Sequence, residues 1–103
     1  MKPEQMTEAL EQVATQVGVR VRYETMTGAA AGAGGLCKIK GQWTVIIDRR
    51  TPVADRAAML IEALAEFDTD ALFLPPRVRE ALQAKRARAT AEVEADAPAS
   101  PAS

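Results

Sequence analysis

The side chains in this sequence able to do chemistry are carboxylates, guanidinium and ammonium groups, and the single thiol of Cys37; there is no histidine. That removes the usual metal ligand and the commonest general acid or base. A zinc site would have to draw on one cysteine and scattered carboxylates, with none of the close Cys and His spacings of structural sites. No metal, cofactor or catalytic residue is therefore expected. Four acids, Glu62, Glu66, Asp68 and Asp70, fall close together. Glu62 and Glu66 are four apart, hence neighbours on one helix face, where like charges repel by a few tenths of a kcal/mol. Paired carboxylates can do acid–base work or hold a hard cation. Nothing apolar surrounds these in sequence to raise a pKa, so they read as a solvated helix face. Cys37 shares a strand with Ile39 and reads as a small core residue.

Two further groups could bind rather than react. Gly28, Gly32, Gly34 and Gly35 lie in a loop whose backbone amides could cradle an anion. Their spacing fits neither a P-loop nor a dinucleotide fingerprint, and a strand follows where phosphate binding requires a helix. The expectation is a mobile connector, with recognition of a partner as its functional alternative. Arg77, Arg79, Lys85, Arg86 and Arg88 set five cations against one acid, Glu80, within twelve residues. Arg20, Arg22, Lys38, Lys40, Arg49 and Arg50 add a basic group on strands. If both groups face the same way they form a patch for a polyanion, though no aromatic residue interleaves them as base stacking prefers. Otherwise they are solvated faces balanced by Glu92, Glu94 and Asp96.

The elements that must hold these groups follow from periodicity. Met6, Leu10, Val13, Ala14 and Val17 line one side of a helix from Pro3 to Val17, and Gly18 supplies the stop. Val19, Val21 and Tyr23 alternate with Arg20, Arg22 and Glu24, the period of a strand with one buried face. Thr25 to Gly35 is the loop. Leu36 to Lys40 and Trp43 to Asp48 flank Gly41-Gln42 as a hairpin. Trp43, Val45 and Ile47 share a face while Ile46 is on the other, so this strand is central or covered on both sides. Thr51 and Pro52 signal a helix start. Its stripe is Val53, Ala57, Leu60, Ile61, Leu64 and Phe67, and burying each of the four large residues is worth about 1.5–3 kcal/mol. Leu72, Phe73 and Leu74 precede two prolines and should be extended and tucked against the sheet. Pro76 opens a third helix, with Val78, Ala81 and Leu82 inward, which should fray between Arg88 and Glu94. Ala95 to Ser103 has nothing to bury and reads as disordered.

The predicted fold is α+β: a small antiparallel or mixed three-stranded sheet packed by two to three helices in the order α-β-β-β-α-α. Residues 1–88 form the single domain, and 89–103 a fraying helix end and an Ala/Pro/Ser tail. In a chain of 103 residues, 48% apolar and 26% charged, that is a globular composition with a modest core. A net charge of -1 argues against bulk attraction to nucleic acid or anionic membrane. One cysteine excludes an intramolecular disulfide framework and fits a reducing compartment. There is no signal-peptide core or apolar run near the roughly 20 residues of a membrane span, so the cytoplasm is expected.

A helix, a strand, a hairpin, the phrase Val45-Ile46-Ile47-Asp48 and a helix with a central glutamate together resemble the opening half of the ImmA/IrrE family of zincin-type metallopeptidases, over roughly Met6 to Phe67. In that family a helix carries His-Glu-x-x-His, its histidines holding zinc and its glutamate serving as general base. Glu62 matches the glutamate, but Ile61 and Ala65 stand at the ligand positions. The resemblance thus implies a scaffold without the peptidase chemistry, kept for binding. The function expected is a non-catalytic protein-binding or adaptor module of a bacterial cytoplasm, its partner another protein or a second copy of itself. The alternative is a nucleic-acid or nucleotide module using the basic strands and third helix.

Overall fold

Helix α1 spans Pro3–Gln16 in a computed structural model that describes residues 1–25 and 35–96, with 90–96 described by backbone alone. Pro3 sits in the first turn, where its missing N–H is no loss, and the Gln5 side chain accepts a hydrogen bond from the Lys2 amide at 3.0 Å. Leu10, Val13 and Ala14 are buried, as the helical spacing predicts. Gly18, at φ +81°, ends the helix. Its amide reaches the Thr15 carbonyl and the Val19 amide the Ala14 carbonyl, the paired bonds of a Schellman motif.

Strands β1 (Arg20–Glu24), β2 (Gly35–Ile39) and β3 (Gln42–Asp48) form a mixed sheet in the order β1-β3-β2. β3 is central, parallel to β1 and antiparallel to β2. Val21, Val45 and Leu36 stand in one cross-strand row and Tyr23 with Ile47 in the next; all five join the core cluster with the helices. The opposite face carries Arg20, Arg22, Cys37, Thr44 and Ile46. On it Glu24 stands opposite Asp48, and the repulsion expected of such a pair is relieved by Arg22, 2.5 Å from Glu24, and by Arg50, 3.0 Å from Asp48. The Arg50 hydrogen bonds hold the Asp48 carboxyl below the usual carboxylate range.

The hairpin turns one residue earlier than the sequence suggested. Lys40 (φ 50°) and Gly41 (φ 81°) are its two turn residues, both in the left-handed region as a type I′ turn requires, and Gln42 already belongs to β3. Its side chain donates to the Gly18 carbonyl at 2.6 Å, tying the hairpin to the end of α1. Gly35 likewise differs from the expectation: it opens β2 opposite Ile46 instead of ending the loop. Gly28, Gly32 and Gly34 lie outside the described residues.

Helix α2 spans Val53–Leu64, shorter than the expected Pro52 to Phe67. Pro52 occupies the cap position, so the Thr51 hydroxyl gives no cap; instead the Thr51 carbonyl accepts from Arg56 Nε at 2.8 Å. Leu60 and Leu64 are fully buried, whereas Val53, Ile61 and Phe67 are half-buried. Thr7, buried on α1, donates to the Val53 carbonyl at 3.4 Å and joins the two helices.

Helix α3 spans Pro76–Asp96 and buries Val78 and Leu82. Among the described residues its backbone packs on α2 and α1 and approaches no strand. Its backbone continues past the Arg88–Glu94 range in which fraying was expected. Arg88, Ala89, Ala91, Glu92, Glu94 and Ala95 are strong helix formers, and their intrinsic preference extends the helix where the apolar stripe has ended. Of the tail expected from Ala95 to Ser103, Ala95 and Asp96 belong to α3 instead, and 97–103 lie outside the described residues. Among the described residues no helix is long and apolar enough to cross a membrane.

Candidate functional site

The five cations of α3 divide into two sets. Arg86 points back at the end of α2: its Nε donates to the Ala65 carbonyl at 3.1 Å, and its Nη2 to the Phe67 carbonyl at 2.7 Å and the Thr69 hydroxyl at 3.1 Å. These carbonyls lie where a helix end leaves acceptors without partners, and a cation there complements the helix dipole. Arg79 similarly donates to the Leu72 carbonyl at 3.2 Å. Arg77 and Arg88 are exposed and Lys85 half-buried. Two of the five are thus engaged within the fold.

The basic residues on strands do not merge with them. Arg20 and Arg22 stand on the sheet face turned away from the helices, Lys38 lies over the Trp43 ring at 5.4 Å, and Lys40 is in the turn. Arg49 and Arg50 sit beyond β3, where Arg49 donates to the Tyr23 carbonyl at 3.1 Å. Among the described residues the backbone of α3 approaches no strand, so the two groups stand on separate elements.

Glu62 is exposed on α2 and Glu66 in the turn that follows it, so the two do not share one helix face as expected, and Asp68 accepts from the Asp70 amide at 2.9 Å, a local turn. Among the described residues no three His, Cys, Asp or Glu side chains converge as a metal site. The two glutamates instead edge a groove of about 460 Å³ between α2 and α3, lined by Glu62, Ala65, Glu66, Lys85, Arg86 and Ala89. One wall is acidic, the other basic, and alanines lie between them. Cys37 is half-buried and unpaired.

Two features were not anticipated. The Tyr23 hydroxyl donates to the Glu11 carboxylate of α1, while Arg56 lies 5.1 Å over its ring. Burial, followed by the hydrogen bond and the negative charge of Glu11, pushes the Tyr23 phenol up to about 12. A second groove of about 360 Å³ lies beside this pair, bounded also by Thr15, Arg20 and Val21. The other is Phe73, which is 97% exposed, while Leu74 beside it is 6% exposed and Leu72 packs against the core. The expectation that all three tuck against the sheet fails at Phe73, while its flanks pack in the core. Leu72 and Leu74 are anchored in the core, and Phe73 between them alternates outward. That alternation was the signal available in the sequence.

The segment presenting Phe73 is braced on both sides. The Leu72 amide donates to the Thr69 carbonyl at 3.0 Å, Arg79 holds the Leu72 carbonyl, and Thr69 is itself buried and bonded to Arg86. Pro75 and Pro76 restrict the backbone that follows. The phenyl ring is therefore displayed from an ordered support. No family model, curated protein or solved structure matches this chain.

Proposed function

We propose that this chain is a non-catalytic protein-binding or adaptor module of the cytoplasm that engages its partner through Phe73. The exposed ring carries this reading. A phenyl group left in water forgoes the roughly 1.5–3 kcal/mol that burying it would yield, and the fold spends Arg79, Arg86 and Thr69 on holding the segment that presents it. Aromatic side chains on preorganised supports are the usual anchors of protein interfaces, because little ordering entropy remains to be lost on binding. The lone unpaired thiol of Cys37 agrees with a reducing compartment.

The test is a crosslinking pull-down from the host with the full chain and with Phe73→Ser. The exposed position predicts an unchanged melting temperature and loss of a stoichiometric protein partner. Retention of every captured protein by the variant refutes the role of Phe73. Salt-sensitive retardation of DNA or RNA, weakened by Arg77→Ala and Arg88→Ala, would favour the nucleic-acid alternative.

A further inference from the structure

We infer that the partner is a second copy of this chain, each copy seating its Phe73 in the groove between α2 and α3 of the other. This rests on the protein-binding reading above and gives that site its occupant. The argument is one of matched chemistry. Phe73 has an acid three positions before it, Asp70, and a cation four positions after it, Arg77, both exposed. The groove carries the complementary charges: Glu62 on α2 and Glu66 just beyond it, Lys85 on α3, and the small side chains of Ala65 and Ala89 in the same lining. An inserted ring would set Arg77 toward the glutamates and Asp70 toward Lys85. Arg86, although it borders the groove, is committed to the Ala65 and Phe67 carbonyls, so Lys85 is left as the outward cation of that wall.

A groove of about 460 Å³ has room for a phenyl group, and the ring is 97% exposed in its own molecule, so it does not occupy its own groove. Knob and groove lie on the same chain, so a two-fold axis makes the one contact twice and closes the assembly at a dimer. The contact is small and its rim is charged. It should therefore be weak, dissociating in roughly the 10 µM to 1 mM range, and salt should weaken it.

Sedimentation equilibrium of the full chain across that range decides the matter. The wild type should shift from monomer to dimer. Phe73→Ser should remain monomeric with its circular dichroism and melting unchanged. Arg77→Glu and the double variant Glu62→Lys/Glu66→Lys should each raise the dissociation constant at least about tenfold, and the three substitutions combined should restore pairing. A wild type that stays monomeric, a dimer insensitive to Phe73→Ser, or a charge swap that fails to restore association in a normally melting protein would each overturn the pairing. The broader reading fails separately: a monomeric wild type that still loses a crosslinked host protein on Phe73→Ser refutes self-association alone, whereas a variant altered in neither assay refutes both.

Discussion

The guanidinium of Arg86 lies 2.7 Å from the carbonyl oxygen of Phe67, nineteen residues earlier in the chain, and closes the end of α2 from a neighbouring helix. The same side chain binds the Ala65 carbonyl and the Thr69 hydroxyl, and Thr69 is 1% exposed. Arg86→Ala removes a charged donor from three acceptors and strands a buried hydroxyl. The expected loss is about 2–4 kcal/mol, which for a domain of this size lowers the melting temperature by roughly 10 °C or more. Arg86→Lys, with a point charge in place of the planar fork, should recover only part of it. Arg88→Ala, at an exposed position on the same helix, should change stability by no more than about 0.5 kcal/mol. Equal melting curves for the Arg86 and Arg88 variants would contradict the clamp.

That contact also marks how far the sequence could be read. The burial of Leu10, Val13, Leu60 and Leu64 follows from helical spacing, and an apolar Ile46 on the face opposite Val45 and Ile47 marks β3 as central or covered on both sides, of which the sheet order shows the first. These are local patterns with a fixed period. Arg86 reaching Phe67, or Tyr23 reaching Glu11, depends on how whole helices are placed relative to one another, and no spacing along the chain encodes the reach of a guanidinium or a phenol. Arg79 and Arg86 therefore looked equivalent to Arg77 and Arg88, although packing ties the first two to backbone carbonyls and leaves the others exposed. Phe73 is legible in principle, because apolar character alone does not orient a side chain and alternation with Leu72 and Leu74 does. The end of α3 escaped for another reason: its alanines and charged residues sustain a helix without the stripe by which helices are recognised.

Tyr23 is the only tyrosine in the chain, so ultraviolet difference absorbance of phenolate formation reports on it alone. The phenol, buried against α1 and hydrogen-bonded to Glu11, should ionise near 12, well above an ordinary tyrosine near 10. The folded state thus holds this proton more tightly than the unfolded chain. The stability it contributes is fully present below about pH 10 and is lost as pH rises from there through about 12. Urea denaturation at a series of pH values should show a steeper loss over this window for the wild type than for Tyr23→Phe. A titration midpoint near 10, or parallel curves for the two proteins, would show that the Glu11 contact does not hold the proton.

The turn between β2 and β3 sets two residues of unequal fitness side by side. Gly41 adopts φ +81° at no steric cost, while Lys40 at φ 50° holds a conformation that side chains with a Cβ disfavour. A Cβ built on Gly41 would meet nothing within 4 Å, so any cost of Gly41→Ala arises from backbone conformation alone, about 1–2 kcal/mol. Lys40→Asn should act oppositely, because asparagine tolerates the left-handed region and Asn-Gly is the preferred pair for a type I′ turn; a gain of a few tenths to about 1 kcal/mol is expected. Both changes should move the urea midpoint and leave the denaturant slope unaltered, since neither changes the surface exposed on unfolding. Had the turn been Gly41-Gln42, Lys40 would lie in extended β2, where asparagine is disfavoured, and Lys40→Asn would be neutral or destabilising. The sign of that single substitution therefore discriminates between the two registers, which differ by two residues in the pairing of β2 with β3 and set Leu36 or Lys38 opposite Val45.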